Sequence, residues 1–456
     1  MDLNSLEYEV KNMAYTFHGG IHVEEYKNTR RCRIEIMPQP AVVSIPLRQH
    51  IGVPAVPLVQ PGDTVTLGQK IGNIPDGRLG CAVHSSVSGV VKAVETRALA
   101  AGNVGFVVIE NDGLDTPCPD MQPYQGKLSD ATTEEIVAVV REAGITGMGG
   151  ATFPTHVKIS SAVGKVDTII INCAECEPFI TANHRLMLEN PASIINGCKI
   201  LLKALGVHKA WLAVEDNKLD AIERLEELTA DSSMIEVKVM KTKYPQGDER
   251  QLIYALTGRE IPTGKLPADV GCVIFNAETC SAIFKAFAYG MPSVKRIMTV
   301  DGDCVRNPKN LLVPIGASVK DVIESCGGLT RTPKKLISGG PMMGNALWDP
   351  QLPVMKGTSA ILVFSERFDK PKNAAVSCIR CGKCVQNCPM HLMPMYLAQF
   401  VQKNDWERAA AYGVMSCVEC GSCSYNCPGG VEIVQHIRTA KAVIRTEAAK
   451  KNQVKK

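Results

Sequence analysis

Two short cysteine runs near the end of the 456-residue chain constrain it more than any other feature. CIRCGKCVQNCP sets Cys378, Cys381, Cys384 and Cys388 at the spacing C-x2-C-x2-C-x3-C-P, and CVECGSCSYNCP repeats it with Cys417, Cys420, Cys423 and Cys427. Three thiolates at i, i+3 and i+6 can wrap three corners of an iron–sulfur cube, because so short a loop must curl around it. The fourth follows a turn that Pro389 or Pro428 redirects. Paired CxxC motifs also bind structural zinc. Three such spacings followed by Cys-Pro, twice over, favour iron–sulfur instead. The remaining cysteines are scattered, and those in apolar surroundings (Cys198, Cys272, Cys326) read as small buried hydrophobes.

A disulfide scaffold does not suit a chain of this length whose start, MDLNSLEYEVKN, is acidic and polar and does not read as a secretion signal. With 45% hydrophobic and 21% charged residues the chain is neither disordered nor collagen-like. Its longest apolar runs, such as Val166–Ile171 and Ala360–Phe364, fall short of the ~18–20 residues of a membrane span and read as buried strands. A net charge of +4 argues against nucleic-acid binding by bulk electrostatics. The expectation is a cytosolic-type globular protein of about three domains at ~150 residues each.

The punctuation of the chain divides it further. Residues 1–40 are polar and irregular, with the glycine-marked stretch FHGGIHVEEYK (Phe17–Lys27). Residues 41–120 show short β-type runs broken by Gly and Pro, at the spacing of a small barrel or sandwich. Within them PGDTVTLGQKIG (Pro61–Gly72) and HSSVSGVVKAV (His84–Val94) resemble the lipoyl/biotinyl barrel-sandwich family. The segment between, NIPDGRLGCA, has no lysine to carry a swinging arm. Residues 128–290 alternate helix and strand, which predicts an α/β layered core. Residues 291–365 read β, β, helix, a small β-grasp module. Residues 368–456 are helical around the cysteine runs. The fold class predicted is multidomain α/β and α+β.

In two-cluster ferredoxins the fourth cysteine of each run ligates the other cluster. On that resemblance Cys378, Cys381, Cys384 and Cys427 hold one [4Fe–4S] cluster, and Cys417, Cys420, Cys423 and Cys388 the other. Leu397, Phe400 and Val401 between the runs, and Ile433, Ile437, Ala440 and Ile444 behind them, have helical spacing. The module therefore reads as a helix-rich ferredoxin, and two clusters side by side make an electron wire.

GITGMGGATFPTHVK (Gly144–Lys158) is a glycine-rich loop directly after a predicted helix. Such loops let backbone N–H groups close on phosphate oxygens, with Lys158 as a cation. Alone, the loop is equally a structural turn. Its companions are NCAECEPF (Asn172–Phe179), YPQGDE (Tyr244–Glu249) and FNAET (Phe275–Thr279). The four motifs, in this order, resemble the flavin- and NADH-binding subunit of respiratory complex I. The resemblance implies that Gly147, Gly149, Gly150 and Lys158 hold FMN, with Asn172, Tyr244, Gly247, Asp248, Asn276 and Thr279 completing the cradle. It further implies that Phe153 stacks on the nicotinamide nucleotide, and that Glu175, Glu177 and Glu249 lie at the hydride-transfer face or bind the nucleotide. Met148 stands where that family has arginine, Thr152 and His156 where it has glycine, and Cys173 and Cys176 enter the second motif as a lone C-x2-C that reads as structural.

The double-cluster ending, the barrel-sandwich start with GGIH, and SGGPMMG (Ser338–Gly344) resemble, over nearly the whole chain, the RnfC component of Rnf complexes. That resemblance implies an NAD(H)-reacting peripheral subunit of a membrane-bound, ion-translocating ferredoxin:NAD+ oxidoreductase, on the cytoplasmic face. Its cofactors would be FMN and two [4Fe–4S] clusters, and its partners the other subunits, with ferredoxin reached through one of them. The alternative is a soluble diaphorase subunit of a hydrogenase or electron-bifurcating dehydrogenase. Nicotinamide exchanges a hydride, two electrons at once, whereas a cluster takes one, so a flavin belongs between them. Arg438, Lys441, Arg445, Lys450, Lys451, Lys455 and Lys456 give the end of the chain a basic helix, read as a solvated face or a docking surface. Anaerobically prepared protein should carry about eight iron atoms, and Cys384→Ala should lose one cluster first. Zinc in place of iron would refute the assignment.

Overall fold

The computed structural model describes residues 14–99, 102–368 and 377–454. MDLNSLEYEVKN, Lys455 and Lys456 lie outside the described residues.

The central unit is a four-stranded parallel sheet in the order Ile235–Met240, Ala210–Glu215, Thr168–Asn172, Cys272–Asn276. Its inner strands are largely apolar runs, with Thr168–Ile171 buried throughout, while the edge strand Ile235–Met240 carries Glu236 and Lys238. The flanking helices start where the sequence signals them. Thr132 and Glu135 form a reciprocal capping box before Thr133–Glu142. Pro191 opens Pro191–Leu205, which stops at Gly206 with φ of 64°. That helix packs against Ala277–Tyr289 so closely that a Cβ on Gly197 would lie 1.9 Å from the Cys280 carbonyl oxygen.

Ahead of this unit, two antiparallel sheets enclose Val43, Ile45, Val65, Ile71, Val91, Val107 and Ile109. The segment that would be the carrier tip in a lipoyl-type domain is fixed here. Cys81 and Ala82 are buried, the Ala82 carbonyl accepts from Lys356 Nζ at 2.8 Å, and Cys81 Sγ lies 3.6 Å from the Ile145 oxygen. A tip pinned to the glycine-loop domain cannot swing.

The third unit is a six-stranded mixed sheet: Ile34–Ile36, Lys309–Pro314, Lys295–Asp301, Ala360–Phe364, Lys335–Ser338 and Asn345–Ala346. Its first strand comes from the stretch read as irregular, and it pairs in parallel with Lys309–Pro314. Three edge residues with Glu35 in the middle and Arg33 before them give no periodicity to read. The residues before it form a strap. Tyr15 pairs with Val239 and Lys241, and Ile21 exchanges backbone hydrogen bonds with Tyr244 at 2.8 and 2.9 Å.

The last unit is helical. Pro394–Gln402, Trp406–Ala411 and Ile433–Val454 enclose Leu397, Val401, Ala409, Val414, Ile433, Ile437 and Ala440, with Phe400 and Ile444 partly buried against them. Two of the basic residues on the last helix face inward: Arg438 and Lys441 both bond Glu419, at 3.1 and 2.5 Å. Arg445, Lys450 and Lys451 are not paired in this way, and Lys450 and Lys451 are exposed. No helix among the described residues is long and apolar enough to cross a membrane.

The Gly197 contact gives a direct check on this packing. Gly197→Ala should lower stability by ~1–3 kcal/mol, because a methyl group must force the two helices apart. An unchanged melting temperature would contradict the close approach.

Candidate redox site

The glycine loop and its three companions, far apart in sequence, meet at the carboxyl ends of strands Thr168–Asn172 and Cys272–Asn276. Ligands of open α/β sheets bind in this position. Three helices begin there, at Thr155, Glu249 and Ala277. The start at Thr155 has no side-chain cap; Thr155 N donates to the Ile145 carbonyl at 3.0 Å, which leaves the N–H groups of the next two residues for an anion. Asn276 caps the third by accepting from Glu278 N, and Asp248 caps the second through Arg250 N and Gln251 N. Burial pushes the Asp248 carboxyl up to about 6.

The loop itself is braced. Met148 N donates to Thr279 Oγ1 at 3.0 Å, and Gly147 N to the Phe153 carbonyl at 2.8 Å. Gly149 lies against Asn276, where an added Cβ would be 3.2 Å from the Asn276 Cβ. Gly150 has φ of 146° and open space around its missing side chain. Thr152, in a position where the resembled family has glycine, keeps a glycine-like φ of 51°. Asn172 Nδ2 donates to the Gly247 carbonyl at 2.7 Å, which joins the second and third motifs. Lys158 stands 3.8 Å from Glu249 and 5.6 Å from the Phe275 ring centre, while Phe153 is half-buried at the loop. Burial lowers the Lys158 ammonium, and Glu249 opposes the shift.

Glu175 and Glu177 are not free at this face. Glu175 accepts from Asn183 N and His184 N at 2.7 and 3.1 Å, at the start of helix Ala182–Glu189. Glu177 accepts from Met342 N and Met343 N at 3.0 and 2.9 Å, in the SGGPMMG loop of the six-stranded unit. Both carboxylates are engaged by backbone donors in this arrangement. Burial pushes Glu177 up to about 7, against those two donors. Lys27 of the strap holds the same turn, donating to the carbonyls of Glu175, Glu177 and Ile180 at 2.7, 2.9 and 2.7 Å.

A buried guanidinium lies under the glycine loop, invisible in any motif. Arg296 pairs with Glu278 at 3.2 Å and reaches the Met148 carbonyl at 3.4 Å. Its Nη1 is buried without a partner. The arginine missing at position 148 is thus matched by one arriving from another unit. An arginine directly before Ile297 and Met298 in strand Lys295–Asp301 is the only signal the sequence offers for it.

The eight cysteines of the two runs gather in two sets of four. Cys378, Cys381, Cys384 and Cys427 line one cavity of about 550 Å³, and Cys378 and Cys381 are exposed. Cys388, Cys417, Cys420 and Cys423 line a much narrower cleft, with three of the four buried. Backbone N–H groups reach the sulfurs of Cys388 (from Leu392, 3.4 Å) and Cys417 (from Glu419, 3.3 Å). Among the described residues no three His, Cys, Asp or Glu side chains converge tightly enough for a single ion. Four thiol donors around each space, with N–H groups aimed at sulfur, fit the donor set of a multi-iron cluster. Burial raises the thiols of Cys384, Cys388, Cys417, Cys420 and Cys423, so loading must release protons.

The narrow cleft abuts the glycine-loop domain. Tyr244 donates its hydroxyl to the Cys420 carbonyl at 2.7 Å, and Gln251 Nε2 reaches the Pro389 carbonyl at 3.2 Å. Gly20 N of the strap donates to the Asn387 carbonyl at 3.0 Å, and a Cβ on Gly19 would lie 2.8 Å from the Cys388 oxygen. The GGIH motif is therefore glycine-rich because two backbones cross there.

Family models match along the chain in the order of these units. The RnfC barrel sandwich hybrid domain matches residues 15–114, the Nuo51 FMN-binding domain 140–285, the SLBB domain 297–346, and the 4Fe-4S dicluster domain 377–431. The chain is 47% identical to the C component of the Na(+)-translocating ferredoxin:NAD(+) oxidoreductase complex of Acetobacterium woodii, over 96% of this chain and 99% of that one. It is 45% identical to the proton-translocating counterpart of Clostridium ljungdahlii, over 94% of each. Against the C component of the ion-translocating oxidoreductase complex of Rhodobacter capsulatus the figure is 42%, over 96% of this chain and 85% of that one. With four domains in register and such identity over nearly its full length, the chain belongs to the RnfC family of Rnf-type, ion-translocating ferredoxin:NAD+ oxidoreductase complexes.

Proposed function

We propose that this chain is the NAD(H)-reacting peripheral subunit of such a membrane-bound complex, at its cytoplasmic face, passing electrons between nicotinamide, FMN and two [4Fe–4S] clusters. Ferredoxin is the other redox couple of the complex, met through a partner protein. Near-full-length agreement with RnfC relatives favours this reading over a soluble diaphorase. Eighteen cysteines without a disulfide among the described residues suit a reducing compartment. Relatives at 47% and 45% identity are named for Na+ and for protons respectively.

The observation that carries the reading is the bond from Tyr244, in the third flavin motif, to Cys420, in the second cysteine run. It supports the assignment of one cluster to an inner position, beside the flavin domain. In this reading Gly147, Gly149, Gly150 and Lys158 take the FMN phosphate and ring edge, using the uncapped start of helix Thr155–Ala162. Asn172, Gly247, Asp248, Asn276 and Thr279 fix the surrounding turns. Phe153 and Glu249, at the open side, receive the nicotinamide nucleotide. FMN, when bound, takes two electrons as a hydride and returns them singly. The protein's part is position and exclusion of water. Glu175 and Glu177 are positioning residues that hold the second motif in shape.

The inner set is Cys388, Cys417, Cys420 and Cys423. The outer set, Cys378, Cys381, Cys384 and Cys427, lies on the exposed side and faces the next carrier. Gly149→Val should give flavin-free protein with its iron intact, because a branched side chain meets Asn276 and blocks the backbone's approach to FMN. Lys158→Ala should weaken FMN less, by ~1–2 kcal/mol, one charged contact among several. Undiminished FMN in Gly149→Val would reduce the loop to a turn.

A further inference from the structure

The SGGPMMG loop belongs to the six-stranded unit, yet it lies at the meeting point of the flavin domain and the inner cysteine set. Its root is firm: Gly339 N donates to the Ala360 carbonyl at 2.8 Å. Glu177 then grips Met342 N and Met343 N from below. The contact is so close that a Cβ on Gly340 would lie 2.2 Å from the Glu177 carboxyl carbon. A Cβ on Gly344 would lie 2.4 Å from the Gly340 oxygen, so the loop also folds tightly on itself. On its far side a Cβ on Gly421, next to Cys420, would meet the Met342 oxygen at 3.2 Å. Met342 packs in one apolar cluster with Ile21, Val23, Cys176, Tyr244, Val418 and Cys420, while Met343 is 46% exposed. One methionine of the pair thus points inward and the other outward.

We propose that the Ser338–Gly344 loop is a seal over the inner cluster site, latched by Glu177, with Met342 as its plug. The proposal rests on the cluster reading above. The plug borders the contact between Tyr244 and Cys420, so it excludes water and oxygen from the flavin-to-cluster path and fixes the approach of the two domains. In the inner set Cys388, Cys420 and Cys423 are buried and Cys417 half-buried; in the outer set Cys384 is buried and Cys427 half-buried, while Cys378 and Cys381 are exposed. In this proposal Met342 and Glu177 are positioning residues.

The test is iron release from the full-length, FMN- and cluster-loaded protein on exposure to air, followed with a coloured ferrous chelator. The wild type should release iron in two phases of equal size, the slow one from the inner set. Met342→Ala should speed the slow phase at least about fivefold and leave the fast phase alone, as local loss of cover requires. Met342→Leu, which refills the space, should restore it. Gly340→Ala, which pushes the loop off Glu177, should act like Met342→Ala and serves if that variant does not fold. Retained FMN shows that the flavin domain is intact. An unchanged slow phase in Met342→Ala, or equal acceleration of both phases, overturns the seal. A single phase in the wild type overturns it too, and wild-type protein without iron overturns both the seal and the reading beneath it.

Discussion

The hydrogen bond from the Tyr244 hydroxyl to the Cys420 carbonyl ties the carboxyl end of the parallel sheet to the inner cysteine loop, and the strap and the six-stranded unit close around it. The partners are buried, so the bond cannot be exchanged for water without cost. Around it the strap contributes Ile21, the six-stranded unit contributes Met342, and the helical unit contributes Val418. With Cys176 of the second motif, five stretches of chain share one small apolar cluster. A shift of any one moves the others.

Buried and half-buried cations do much of the remaining alignment. Half-buried Lys27 spans the carbonyls of Glu175 and Glu177 in the second motif and of Ile180 just beyond it, Lys218 pairs with Glu215 and reaches the Ala174 carbonyl, and Arg296 joins Glu278 to the glycine loop. Lys356 bridges the Ala82 and Gly144 carbonyls, barrel to glycine loop, and burial pulls it down to about 8. Such groups are costly to bury and add little net stability over an apolar replacement. Each, however, accepts only one geometry of its partners. In this chain all four lie within or beneath the loops that the flavin reading uses, so their effect is on register more than on strength.

Some of this was legible in the sequence and the rest was not, for physical reasons. The cysteine spacing and the helix signals at Thr132, Pro191 and Gly206 are local, so the runs and the helices could be read directly. The four flavin motifs were legible as patterns, and their meeting at two strand ends follows from α/β topology. The strap was not legible, since its hydrogen bonds are to backbone and leave no side-chain pattern beyond two glycines. Glu175 and Glu177 looked catalytic because carboxylates near a flavin motif suggest chemistry; their backbone partners are set by tertiary contacts alone. The basic final helix read as one charged face, yet Arg438 and Lys441 are taken up by Glu419.

The central claim is that electrons pass between nicotinamide and the clusters only through a flavin held beside the inner set. The direct test is anaerobic single-turnover reduction by NADH, followed at flavin and cluster wavelengths, in FMN-loaded and flavin-depleted protein. The account predicts flavin bleaching first and cluster reduction second in the loaded protein, and no cluster reduction without flavin. Cluster reduction at an undiminished rate in the flavin-depleted protein would contradict it.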